Sequence, residues 1–405
     1  MPADDPSGRR RTAPDPHPLR AAIGIALLAV VAEMALTMWI LPAALSWHGW
    51  YITGDAWPPL WPAHYVSYGA FPYLYEGSPY FVAGPLLPVV LAPVAGAGNV
   101  LGLTESIPFP IPHPTIWLVY GPYATTISCA FLLWAMRRVA VLAGLRTGLV
   151  RLQLAAAALV LVPAVGIWAH FEEPLALGTT LLAVGEAHQG RLRRAALLVG
   201  VAIGFKQWAL LALPLIVAAA PPGRRVRTLA WGLAVPAAVF GLPLALDWSY
   251  AARAIFLARA FPHVGHAALW VSSSVHKMVG TPFRGVAVAC SVAVAWRLRG
   301  RSTLRVLLAG LASVLTLRLA FEPVLFAYYL APPLGVLLLY ERVRTDRATR
   351  TLLLGTAALL LFSLDGHPVV WWVGEVALLV PIAAPAVAEA LALPRIRRRA
   401  LVSAA

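Results

Sequence analysis

The chain has 405 residues, 60% of them hydrophobic and only 12% charged, against roughly 25% charged in an ordinary soluble domain. A mean hydropathy of +0.76, with apolar runs recurring from Ala21 to Leu393, excludes a water-facing globular protein and implies a polytopic helical membrane protein. The net charge of +15 does not indicate nucleic acid, because the arginines fall in short clusters between apolar runs and form no continuous stripe.

Those clusters report sidedness instead, since basic loops stay on the cytoplasmic face. They are Arg9 to Arg11, Arg137/Arg138, Arg191 to Arg194, Arg224 to Arg227, Arg297 to Arg305, Arg342 to Arg350 and Arg395 to Arg399. Both termini are therefore expected in the cytoplasm, which requires an even number of spans.

In chain order, residues 1–20 read as a cytoplasmic tail, because no short apolar core there ends in a small-residue cleavage site. The run 22–41 then stays as an anchor, and an outer loop follows from Ser46 to Tyr80. The run Phe81 to Leu103 is broken by Pro85, Pro88 and Pro93. Counting it as a span would place Arg137 outside, so it is assigned to an interfacial or re-entrant element. Spans follow at 115–136, 152–169 and 174–188, the last two meeting at an outer apex, His170 to Pro174.

Between Arg194 and Arg224 both ends belong in the cytoplasm, yet Lys206 and Gln207 sit in the middle of the apolar stretch. Two short runs, 195–204 and 207–220, joined in a hairpin with its apex at Phe205 to Trp208 on the outer side, satisfy both facts. The alternative is one long tilted span with a snorkelling lysine. Runs at 228–246, 284–298, 304–320, 323–340, 351–364 and 369–391 bring the total to twelve. Several are shorter than the roughly 20 residues that cross a bilayer, which implies protein-lined or watery surroundings. Outer segments then comprise the loop Asp247 to Phe283 and apices at Phe321 to Pro323 and Asp365 to Pro368. The expected fold is all-α: a bundle of about twelve spans forming one domain over 21–393, with a basic cytoplasmic tail at 394–405. Cys129 and Cys290 lie in apolar runs as small hydrophobes and indicate no disulfide framework.

Of 17 acids, Asp55, Glu76, Glu172, Glu173, Asp247, Glu322 and Asp365 all map to outer loops or apices. The first outer loop surrounds Asp55 with Trp47, Trp50, Tyr51 and Trp57, followed by His64 and Tyr65. Flat aromatic faces suit sugar rings; an interfacial aromatic belt with Asp55 as a turn residue is the plainer account. At His170-Phe-Glu-Glu-Pro174, adjacent carboxylates are expected to diverge, one inward and one to water. A divalent metal there is conceivable, but no second ligand pair is spaced for it, and a solvated helix start is the simpler reading. Lys206 and Lys277 are the only lysines. Lys206 is suited to hold a phosphate oxygen, with His263, His266, His276 and Arg253 as possible assistants, or else to pair with Glu172 or Glu173. Lys277 is read as a solvated loop residue. Arg318 and Glu322, four apart, read as a salt bridge, with Tyr328 and Tyr329 beside them.

These residues resemble those of polytopic C-type glycosyltransferases that use polyprenyl-phosphate sugars, including actinobacterial mannosyltransferases of the phosphatidylinositol-mannoside type. The likeness runs from about Trp47 to Tyr340. It is carried by Gly54-Asp55, Gly77-Ser-Pro-Tyr80, Gly84-Pro-Leu-Leu-Pro88, the His170 to Pro174 apex, Gly190-Arg-Leu-Arg-Arg194, Gly204-Phe-Lys-Gln-Trp-Ala-Leu210 and Glu322-Pro-Val-Leu-Phe-Ala-Tyr-Tyr-Leu330. The family apex more often reads His-Pro-acid-acid, so which acid takes the usual role here stays open.

The resemblance implies transfer of mannose or a similar pentose or hexose to a lipid or polysaccharide acceptor, with inversion, at the outer face of a bacterial plasma membrane. Asp55 would be the general base. Lys206 and His170 would neutralise the leaving phosphate, with His64, Tyr65, Glu76, Glu172, Glu173, Gln207, Trp208, Tyr328 and Tyr329 contacting substrate. No cofactor and no nucleic acid are implied. A secondary transporter or lipid flippase is the main competitor, given Glu33 and Glu375 inside apolar runs, although no internal repeat is evident; a noncatalytic scaffold is a second.

Overall fold

The computed structural model describes residues 18–76, 81, 83–103, 113–256, 266–267, 280–322, 324–362 and 368–392. The described parts of the apolar runs fold as helix, apart from residues at their ends such as 324–326 at the start of the run 323–340, because Ala- and Leu-rich segments satisfy their own backbone groups where no water is available. The first is a rod: α1 (Pro18–Ala35), a π-helical stretch (Leu36–Ile40) and α2 (Leu41–Leu45). Next come α3 (Leu60–Ser67), α4 (Leu86–Val100), α5 (Trp117–Leu142), α6 (Leu149–Ala156) with a π-helical extension (Ala157–Ile167), and α7 (Glu172–His188). The second half holds α8 (Leu192–Phe205), α9 (Leu213–Ala219), α10 (Arg225–Leu246), α11 (Trp248–Phe256), α12 (Gly280–Leu298), α13 (Leu304–Leu319), α14 (Ala331–Thr345), α15 (Thr349–Leu361) and α16 (Pro368–Leu391). One two-residue antiparallel pairing departs from the all-α expectation: β1 (His266–Ala267) with β2 (Val324–Leu325).

Among the described residues, five helical stretches are long and apolar enough to cross a membrane: Leu19–Leu45, Trp117–Leu142, Leu149–Ile167, Pro222–Leu246 and Val369–Leu391. On α1 and α10, Leu28, Val31, Val226, Leu229 and Leu233 are exposed, the distribution expected when lipid is the solvent. The Phe81–Leu103 run contributes α4, whose 15 residues span about 22 Å at 1.5 Å per residue, short of the roughly 30 Å hydrocarbon layer. Helix α7, by contrast, is buried on nearly every side and forms the axis around which α5, α8, α13 and α14 pack.

The segment around Lys206 is a hairpin. Lys206 adopts an extended backbone, φ −149° and ψ 129°, which ends α8; a 3-10 turn (Gln207–Ala212) then leads into α9. Both arms meet Gly232 of α10: a Cβ on Gly200 would lie 2.8 Å from its carbonyl oxygen, and the Leu213 side chain fills the space where its own Cβ would be. In one continuous helix, residues 200 and 213 would stand about 20 Å apart. The single tilted span is thereby excluded.

The hairpin also fixes the polarity of the bundle. The loops at 143–148, 188–191, 218–224, 299–303 and 342–347 gather at one end. Arg342 donates to the Thr147 carbonyl at 2.8 Å, His188 meets the Ser302 carbonyl at 3.1 Å, and Gly300 N–H donates to the Ala218 carbonyl. Arg305 pairs with Glu389 at 2.8 Å, close to the end of α16. The hairpin apex and the start of α7 lie at the opposite end. Arginine loops and acidic apices thus occupy separate ends, as the clusters require. The terminal tails, the Gly77-Ser-Pro-Tyr80 segment, His263, His276, Lys277 and Asp365 lie outside the described residues.

Candidate functional site

Three backbone irregularities and one helix start bring the polar groups together at the acidic end. Asp55 rides on a 3-10 turn (Gly54–Ala56) whose Asp55 N–H donates to Thr53 Oγ1, and Tyr120, buried in α5, donates its hydroxyl to the Ala56 carbonyl at 2.8 Å. His170 follows Ala169, which sits at φ +54°. That is a left-handed conformation costing a non-glycine residue about 1 kcal/mol, and it marks the turn as held by its surroundings. Glu172 and Glu173 open α7. Lys206 is the helix break at the hairpin apex, clamped where Gly84 N–H donates to the Phe205 carbonyl at 2.9 Å.

The side chains form one chain of contacts. Asp55 Oδ2 lies 3.5 Å from His170 Nε2; His170 Nδ1 lies 2.6 Å from Glu172 Oε1; Lys206 Nζ lies 2.7 Å from that same oxygen and 3.4 Å from Glu173 Oε1. Trp208 Nε1 donates to Glu173 Oε2 at 2.6 Å. The Tyr328 ring lies on His170, centroids 3.8 Å apart, with Tyr329 edge-on to it at 4.7 Å. A second pair adjoins: Arg318 Nε to Glu322 Oε1 at 2.7 Å, with Arg284 at 3.6 Å from Glu322 Oε2.

Burial and charge then decide the protonation states. Burial alone would discharge His170, but Glu172 beside it raises the imidazole to about 9 despite the repulsion of Lys206, so it is a cation at neutral pH. Burial likewise resists charge on Glu172, yet Lys206 and His170 hold it well below the usual carboxylate range. The Lys206 ammonium is raised by Glu172 and Glu173 against the same desolvation. Asp55, Glu172, Glu173 and Glu322 face His170, Lys206, Arg284 and Arg318. Four carboxylates against four cations leave the cluster neutral, which is what makes ions tolerable at such burial. Asp55, with its side chain 45% exposed, is the most open of the four carboxylates, Glu172, Glu173 and Glu322 being almost completely buried.

Asp55, His170, Glu172, Glu173, Lys206, Trp208, Tyr328 and Tyr329 therefore come together, and Gln207 adjoins them half-buried at the start of the 3-10 turn. Three candidates do not join them. His64 is buried on α3 beside Trp61 and Asn99; Tyr65 packs on Trp61, ring centroids 6.3 Å apart; Glu76 is exposed, and its charge acts on Asp247. The expectation that one of the paired acids turns to water is also corrected. Glu172 and Glu173 are 2% and 1% exposed, because a lysine from another element stands between them and both side chains reach it. A solvated helix start is excluded for the same reason.

Sequence reasoning missed Tyr120, Arg284 and Trp168, the last edge-on to Tyr328 at 5.8 Å. Aromatics inside apolar helices carry no signal that separates them from core. Among the described residues no group of three His, Cys, Asp or Glu side chains is disposed to hold a metal ion; the shared Glu172 oxygen is already taken by His170 and Lys206. Compared with known proteins, the chain matches no protein-family model and no curated protein sequence.

Proposed function

We propose that the protein is a membrane glycosyltransferase that moves a sugar from a polyprenyl-phosphate donor to a lipid or glycan acceptor. The observation that carries the reading is the relay Asp55, His170, Glu172, Lys206, which ends on an exposed carboxylate. Asp55 takes the proton of the acceptor hydroxyl as its oxygen bonds to the anomeric carbon. The bond from that carbon to the phosphate oxygen breaks, and its electron pair leaves with the polyprenyl phosphate, inverting the centre. His170, held by Glu172, orients Asp55; its 3.5 Å separation is long for a hydrogen bond, as resting catalytic contacts often are. Lys206 is committed to two carboxylates, so its part is to hold the relay charged. The departing phosphate is better met by Arg284, whose side chain is 42% exposed.

The test is transfer of radiolabelled mannose or arabinose from the polyprenyl phosphate by membranes containing the protein. Asp55→Asn is expected to lower turnover by at least about 100-fold, the usual worth of a general base, with membrane insertion unchanged. Wild-type turnover in Asp55→Asn would remove Asp55 as the base.

One observation favours a transport reading. Glu33 in α1 accepts a hydrogen bond from Thr125, and Glu375 in α16, 2% exposed, has no hydrogen-bond partner among the described residues; buried carboxylates of this kind serve proton-coupled carriers. Substrate uptake by proteoliposomes with no sugar transfer would select it.

A further inference from the structure

The arginine end holds a cleft that the proposed chemistry does not use. It has a volume of about 530 Å³, within the range of ligand sites, and lies between the starts of α8 and α10. Arg191, Arg193, Arg194, Arg224 and Arg227 line it, with Trp231 and Thr228, and among the described residues no carboxylate does. Arg191 is engaged by Glu186 at 2.5 Å. Arg193, Arg194, Arg224 and Arg227 have no ion-pair partner among the described residues, and Arg193 stands 4.3 Å over the Trp231 ring.

The packing explains why the space exists. The contact of Gly200 with the Gly232 carbonyl closes α8 on α10, about two turns from the arginines. Beyond that closure the two first turns separate, and the hairpin brings Arg224 back to the level of Arg194. Clustering guanidiniums without acids is unfavourable by itself. Sidedness requires only that they stay in the cytoplasm, not that four of them converge on one concavity.

We propose that this cleft binds the phosphate of an anionic phospholipid headgroup. Guanidiniums fork onto phosphate oxygens, and a Trp at the bilayer interface is suited to the glycerol region. The acyl chains are accommodated along the same side of α10, where Ala234 and Ala238, seven residues on from Arg227 and Trp231, are exposed. A free phosphate ion would satisfy the same donors but would leave that apolar face without a role.

The test is native mass spectrometry of the purified full chain in detergent, titrated with phosphatidylglycerol, phosphatidylcholine or inorganic phosphate. One phosphatidylglycerol per chain is expected to bind in preference to phosphatidylcholine. The double variant Arg224→Gln/Arg227→Gln should weaken it by about thirty-fold, the worth of two interfacial guanidiniums, and Arg193→Gln by less. Arg344→Gln/Arg347→Gln, exposed residues of another loop, removes the same charge and should leave binding unchanged. Thermal stability without added lipid serves as the check that each variant is folded. Equal loss in the two double variants, or equal affinity for phosphatidylcholine, would overturn the site. Displacement of the lipid by inorganic phosphate at equal concentration would overturn the lipid as its occupant.

Discussion

Lys206 is the residue on which the acidic end turns, because one ammonium balances two carboxylates that are almost completely buried. Removing one partner of such a set leaves an uncompensated charge and costs about 3–5 kcal/mol, far more than the intact pair contributes. Lys206→Met is therefore expected to lower the thermal stability of the detergent-solubilised protein sharply. Adding Glu172→Gln to Lys206→Met should recover part of that loss, since the neutral amide no longer needs a counter-ion. A phosphate ligand with no structural duty would behave differently: Lys206→Met would keep its stability and lose only donor use. The double variant separates the two, because restoring stability without activity assigns Lys206 to holding the relay. The pairing with Glu172 or Glu173 was open to a reader of the sequence, since a lone lysine inside an apolar run needs a carboxylate. That it takes both acids was not, because helix spacing sends adjacent side chains apart and only a third element can draw them together.

At the scale of elements, the hairpin apex is held by a backbone contact that leaves no room for a side chain. A Cβ on Gly84 would lie 2.1 Å from the Gly204 carbonyl oxygen and 2.8 Å from the Phe205 carbonyl carbon, both main-chain atoms next to Lys206. Gly84→Ala must push the apex away, and an overpacked contact of this kind costs about 1–3 kcal/mol. Sugar transfer should fall with it, since Lys206 would shift from Glu172; Gly241→Ala on α10, with nothing within 4 Å, should leave stability and transfer near wild type. Comparable behaviour of the two variants would show that the apex tolerates displacement. The hairpin itself was legible, because Arg194 and Arg224 must share a side and Lys206 lies midway between them. The role of Gly84 was hidden: its apolar, proline-broken segment carries no charge to orient it, and the contact joins residues more than a hundred positions apart. The same separation conceals the meeting of Asp55 with His170, where each motif was visible alone. His64, Tyr65 and Glu76 were misplaced for the converse reason, since nearness in sequence to Asp55 stood in for nearness in space.

For the whole molecule, function depends on which side of the bilayer each end faces. The loops joined through Arg342, His188 and Gly300 carry the arginines, and the opposite end carries the acid relay, so a membrane crossed by this bundle separates them. On the proposed reading the basic loops stay in the cytoplasm and Asp55 faces outside, where nucleotide sugars are not supplied and the sugar would come from a lipid-linked donor. Single cysteines test that placement once Cys129 and Cys290 are replaced. In intact cells a membrane-impermeant maleimide should label Trp47→Cys, at a position 50% exposed beside the acidic end. It should label Ser302→Cys, in an arginine loop, only after permeabilisation. The reverse pattern would leave the relay geometry untouched but put it in the cytoplasm, and the argument for a polyprenyl-phosphate donor would fall while a sugar-transfer or carrier role at that end would have to be sought afresh. Labelling of both positions in intact cells would mean that the two ends share one side, which a bundle with five membrane-length helices among the described residues and its charges split between opposite ends does not permit.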